Sequence, residues 1–143
     1  MQRHDALIQL SHEHHHGLVW AKRMYDLPDD TSVADQQELL DEFFPVWRDE
    51  INPHFRNEEE ILLPLFDVDA DPDVDCIRLM LQQHVHIRRD VLLLEFEPNL
   101  EVIHRLGNAL KEHIRLEERE VFPLVEEKAS QETLDAIQSQ IEK

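Results

Sequence analysis

Apolar residues recur at steps of three and four along almost the whole chain, and the places where that rhythm fails divide it into helical stretches. It fails from Asp26 to Ala34, from Asp67 to Asp73, at Glu97-Pro98-Asn99 and near Ala129-Ser130. The breaks predict helices over residues 3–26, 34–66, 74–96 and 100–128, then a short fifth helix from Ser130 with Leu134, Ile137 and Ile141 on one side. No segment alternates apolar and polar residues over the length of a strand. The expected fold class is therefore all-α: an up-down-up-down four-helix bundle with a short C-terminal helix. At 143 residues the chain has the size of one domain, spanning 1–143, with one continuous core.

The inward stripes carry the chemistry, because each is interrupted by groups that do not belong in an apolar core. The first reads Leu7, Leu10, His14, Gly17, Ala21, Met24, and the third reads Ile77, Met80, His84, Ile87, Val91, Leu94. The second reads Trp47, Ile51, His54, Glu58, Ile61, Leu65, and the fourth Leu106, Leu110, His113, Glu117, Glu120, Leu124. The second and fourth share a phrase. His54-Phe-Arg-Asn-Glu58-Glu-Glu-Ile-Leu-Leu-Pro64-Leu65 returns 59 residues later as His113-Ile-Arg-Leu-Glu117-Glu-Arg-Glu-Val-Phe-Pro123-Leu124. A histidine and a glutamate four residues apart lie on one face of a helix, one turn from each other.

At about 1.5 Å of rise per residue, three of the four connections bring these polar residues to a common level near mid-bundle. The connection from the first helix to the second does not, since residues 34–44 are about ten too many for that register. A break at Pro45 is expected, with the preceding turns overhanging the bundle end.

Six ionisable groups converging in an apolar interior are costly to desolvate unless something satisfies them, and a cation does so most economically. Imidazoles and carboxylates suit iron, manganese or zinc, and a glutamate from each of two helices can bridge two metals. Two bridging glutamates and four histidines shared two and two give each metal four protein ligands. A bridging oxygen makes five, so an octahedral count leaves one position per metal for a small molecule.

Charge narrows the partners. The formal net charge of -18 disfavours nucleic acid and anionic membrane surfaces. No run approaches the roughly 20 apolar residues of a membrane-spanning helix. The single Cys76 cannot form an intrachain disulfide and reads as a small core filler, and the first residues lack a secretory apolar stretch, so a cytoplasmic location is expected. Nothing in the chain specifies a protein partner or an oligomeric state.

The phrases Glu13-His14, His54-Phe-x-x-Glu58-Glu59-x-x-Leu62-x-Pro64, His84-x-x-Ile87-Arg88 and His113-Ile-x-x-Glu117-Glu118-x-x-Phe122-Pro123 resemble the hemerythrin-like HHE cation-binding domain over about residues 4–126. The resemblance implies a four-helix bundle around a non-haem, carboxylate-bridged pair of iron ions. It also implies His14, His54, Glu58, His84, His113 and Glu117 as metal ligands. Members of that family bind or sense oxygen, handle iron, protect against oxidants or nitric oxide, or repair iron-sulfur clusters. Its oxygen carriers have a second histidine where this chain has Arg88, and a His-x4-Asp pattern where this chain has Glu117 and Glu118. The implied function is therefore an open-site centre that binds or reacts with dioxygen, peroxide or nitric oxide, in redox or iron homeostasis. The alternative is a module for iron storage, sensing or delivery, or a structural metal site, without turnover. No substrate pocket, general acid or electron-donor site can be read, so the sequence assigns no enzymatic activity.

Other patterns compete for the same residues. His15 is the alternative first-helix ligand to His14. His12-Glu13-x-x-His16 satisfies the zinc-protease spacing but lacks the third ligand and the substrate-binding edge such an enzyme needs. The acidic stretch Asp67–Asp75 starts like a calcium loop, yet Pro72 replaces the turn glycine and Arg78 stands at the twelfth position. Glu101-x-x-His104 occurs once where a ferritin-like site needs two such pairs, and His104 and His4 read as exposed or capping residues.

Overall fold

The computed structural model describes residues 3–66 and 74–141 of the chain, and the acidic stretch 67–73 lies outside the described residues. Helix α1 spans Asp5–Tyr25 and is capped by His4, whose Nδ1 accepts the Ala6 N–H at 2.9 Å. A second rod is built from α2 (Val33–Val46), a π turn (Trp47–Ile51), α3 (Asn52–Asn57), a π turn (Glu58–Leu62) and a 3-10 turn (Leu63–Leu65). The third rod is α4 (Asp75–Phe96). The fourth joins α5 (Leu100–Leu116), a π turn (Glu117–Val121) and α6 (Phe122–Lys128), and α7 (Gln131–Ile141) follows. The four rods form the up-down-up-down bundle, and α7 closes one end by burying Leu134, Ile137 and Ile141. No helix among the described residues is long and apolar enough to cross a membrane.

Helix α2 runs through Pro45 without the expected break. The turns before it do not overhang freely, because Leu39, Leu40 and Phe43 are buried with Trp20, Met24, Leu94 and Ile103 at the ends of the other rods. The irregularity falls instead at the π turn that begins with Trp47.

All three π turns share one sequence device. Trp47, Glu58 and Glu117 accept from the N–H of Asn52, Leu63 and Phe122, and each donor is followed by a proline: Pro53, Pro64 and Pro123. A proline ring would collide with the carbonyl four residues back, and widening the turn by one residue relieves the conflict. The extra residue also slips the buried phase. Leu62, Val121 and Val125 are buried where the unbroken 3.6-residue rhythm predicted Ile61, Glu120 and Leu124, and Glu120 faces solvent.

The core is split in two by a polar layer. One apolar cluster gathers Trp20, Phe43, Val91, Leu94, Ile103 and Leu106, and the other gathers Leu7, Leu10, Met80, Phe122, Val125 and α7. Between them lie His14, His54, Glu58, His84, His113 and Glu117, all at most 5% exposed. Close approach of α1 and α5 depends on Gly107, where a Cβ would sit 2.7 Å from the Tyr25 nitrogen and 2.8 Å from the Ala21 oxygen.

Candidate metal centre

One imidazole comes from each rod, and one carboxylate from each rod that carries the doubled phrase. Within the second and fourth rods the four-residue spacing brings His54 Nε2 to 3.3 Å from Glu58 Oε2, and His113 Nε2 to 3.3 Å from Glu117 Oε2. The structure thereby brings all six predicted residues together. Their donor atoms fall into two groups, His14, His54, Glu58 and Glu117, and His84, His113, Glu58 and Glu117, each spanning no more than 4.8 Å.

Both carboxylates belong to both groups, one oxygen facing each. Glu58 Oε2 is 3.3 Å from His54 while its Oε1 is 3.2 Å from His84. Glu117 Oε1 is 2.7 Å from His14 while its Oε2 is 3.3 Å from His113. The ring nitrogens converge as well, with His14 Nε2 3.1 Å from His54 Nε2 and His84 Nε2 3.1 Å from His113 Nε2. Two facing nitrogens that each carry a lone pair have no proton to share, and a cation between them resolves the contact.

Each inward Nε2 is fixed by an outer partner on the same ring's Nδ1. His14 Nδ1–H donates to Glu118 at 2.8 Å, His54 to Glu13 at 3.1 Å, His84 to Glu59 at 2.6 Å and His113 to Gln83 at 2.8 Å. Placing the proton on Nδ1 leaves Nε2 free as a donor to metal. Aromatic neighbours hold two of the rings, His84 stacking on Phe55 at 4.0 Å and His14 on Phe122 at 5.3 Å.

Without a cation these charges are in conflict. Both oxygens of Glu58 and Oε2 of Glu117 are buried and accept no hydrogen bond. Burial, reinforced by the charge of Glu117, pushes the Glu58 carboxyl well above the ordinary carboxylate range. Glu117 is held well below that range, because His113 and His14 outweigh the opposing effect of burial. Burial also disfavours charge on His54 and His14, yet the carboxylates around them prevail and raise both, His54 strongly. Burial and the neighbouring His113 push His84 down to about 4. The two carboxyls are pushed in opposite directions because each acts on the other across a layer that solvent does not reach. The donor set and its unsatisfied oxygens fit a bound metal pair.

The first-helix alternative, His15, points into solvent. The protease spacing is divided among other tasks, Glu13 bracing His54 and His16 pairing with Glu50 at 2.8 Å. Arg88 donates to Glu59 at 2.7 Å and to Asn52 at 3.0 Å. His104 donates to the Leu27 carbonyl at 2.8 Å, and Cys76 packs half-buried at the edge of the cluster that contains α7. Sequence reasoning missed the roles of Glu13 and Gln83. Each directly precedes a stripe histidine, a position that does not by itself set it apart from ordinary helix surface.

A cavity of about 40 Å³ reaches the centre between α1 and the second rod, touching His14, His54 and His113 beside Gly17, Ile51, Phe55, Leu110 and Ile114. A Cβ on Gly17 would lie 3.2 Å from Ile114 Cδ1, so the missing side chain keeps this space open.

An all-helical bundle with a buried layer of imidazoles and shared carboxylates defines a metal-binding protein of the four-helix type. The hemerythrin HHE cation binding domain model matches residues 2–125, and the chain belongs to that family. No curated protein and no solved structure matches the chain.

Proposed function

We propose that residues 1–143 form a single cytoplasmic domain holding two non-haem iron ions, with Glu58 and Glu117 bridging them. His14 and His54 would complete one position, and His84 and His113 the other. Manganese or zinc suits the same donors. The observation that carries this reading is the division of each buried carboxylate, one oxygen toward each imidazole pair.

When bound, such a pair supplies open coordination positions and electrons for a small molecule. The chain's own residues determine what reaches it. A cavity of about 40 Å³ exceeds the 10–15 Å³ or so needed for one water but is far below the 300 Å³ or more of a metabolite pocket. That size favours dioxygen, peroxide or nitric oxide, and the apolar walls of Ile51, Phe55, Leu110 and Ile114 favour an uncharged diatomic. The role that follows is binding of, or reaction with, such a molecule in redox or iron homeostasis.

Protein made in iron-replete cells and reduced anaerobically should gain a ligand-to-metal absorption band when oxygen or nitric oxide is admitted. A zinc-loaded protein as isolated, or an iron form indifferent to both oxygen and nitric oxide, would leave the alternative of a module for iron storage, sensing or delivery, or of a structural metal site.

A further inference from the structure

The centre has an internal twofold logic, and it is broken at one position among the partners of the imidazoles. In the doubled phrase the second glutamate braces a histidine on another rod: Glu59 holds His84, and Glu118 holds His14. The residue just before each remaining stripe histidine braces the other two rings. Before His14 that residue is Glu13, holding His54 at 3.1 Å, and before His84 it is Gln83, holding His113 at 2.8 Å.

The substitution changes charge as well as chemistry. Around the His14 and His54 pair stand two carboxylates, Glu118 and Glu13, of which Glu118 shares Arg3 at 3.0 Å with Glu126 at 2.9 Å. Around the His84 and His113 pair stand one carboxylate, Glu59, paired with Arg88 at 2.7 Å, and the neutral amide of Gln83. Counting Glu13, Glu118 and Glu126 against the shared Arg3, two net negative charges back the first pair, and with Glu59 against Arg88 none backs the second. A carboxylate accepting the Nδ1–H increases the electron donation of Nε2 to metal, and an amide oxygen does so less.

We propose that the two metal positions are unequal, that the His14 and His54 position binds its cation more tightly and fills first, and that Gln83 sets the difference. The proposal rests on the two-metal reading above and assigns Glu13 and Gln83 as positioning residues of opposite strength. Gln83 also borders an open surface groove lined by Arg115 and Arg119 together with Glu112 and Glu120, so a carboxylate at position 83 would keep access to solvent.

The test is a titration of metal-free protein with Co(II) against a competing chelator, followed by visible absorption. The parent should bind two equivalents in two resolved steps. Gln83→Glu should tighten the weaker step by roughly tenfold and draw the two steps together, while Glu13→Gln should weaken the tighter step by a similar factor. Melting temperatures of the metal-free forms report folding alone, and Gln83→Glu carries the test if Glu13→Gln does not fold. Two equivalents bound with the weaker step unmoved by Gln83→Glu, or with its effect on the tighter step, overturn the proposal and leave the two-metal reading intact. Failure of the folded parent to bind two equivalents overturns both.

Discussion

At the scale of residues, the site is defined by which atoms lack a partner. Buried carboxylate oxygens that accept nothing, and ring nitrogens aimed at each other, are unfavourable in a metal-free protein and satisfied in a loaded one. Burial and the neighbouring His113 also disfavour charge on His84. Its folded pKa of about 4 lies below the ordinary 6.5, so between those values the unfolded chain holds a proton that the folded chain refuses. Stability contributed by neutral His84 is then lost as pH falls through that window. Relative to a metal-free His84→Asn variant, the metal-free parent should lose stability from pH 6.5 toward 4 with a slope approaching about 1.4 kcal/mol per pH unit. Urea unfolding at a series of pH values checks this, and a difference that stays constant with pH contradicts it. The inward residues were legible in the sequence because histidine and glutamate in an apolar stripe violate a pattern. Glu13 and Gln83 violate none, since a polar residue beside the stripe is what any bundle surface shows, and only their contacts across rods reveal the role.

At the scale of elements, the helix boundaries followed from the loss of apolar rhythm and from Pro and Asp clusters, and the observed ends agree with them closely. The phase within the second and fourth rods did not follow, because a continuous 3.6-residue count cannot register an added residue. Prolines gave the clue, but Pro45 shows why it was insufficient: α2 passes through it, whereas Pro53, Pro64 and Pro123 each lie behind a widened turn. The π turns begin at Glu58 and Glu117 themselves, so the same turns that admit the prolines also start from the residues aimed at the centre. The slip has a measurable consequence in the fourth rod. Val121→Ala should destabilise the protein by roughly 2 kcal/mol, while Glu120→Ala should change stability by less than about 0.5 kcal/mol. Chemical denaturation of the two variants decides it, and the reverse order would restore the uninterrupted helical phase.

At the scale of the whole molecule, two apolar clusters enclose a layer that neither could tolerate without a counter-charge. The centre lies where all four rods can reach it. Binding free energy at such a layer is also folding free energy, so chelation should lower stability along with metal content. The formal net charge of -18 disfavours anionic partners. Bundle architecture was readable because four stripes of equal character need each other for burial. The cavity beside Gly17 was not, because its existence depends on the missing side chain facing Ile114 across two rods.

The central claim is that Glu58 and Glu117 bridge two cations held by four imidazoles. An anomalous difference map from crystals of the iron-loaded protein, collected at the iron absorption edge, tests it most directly. The account predicts two peaks roughly 3–4 Å apart between the two carboxylates, one beside the Nε2 atoms of His14 and His54 and the other beside those of His84 and His113. A single peak, or peaks away from these six side chains, would contradict it.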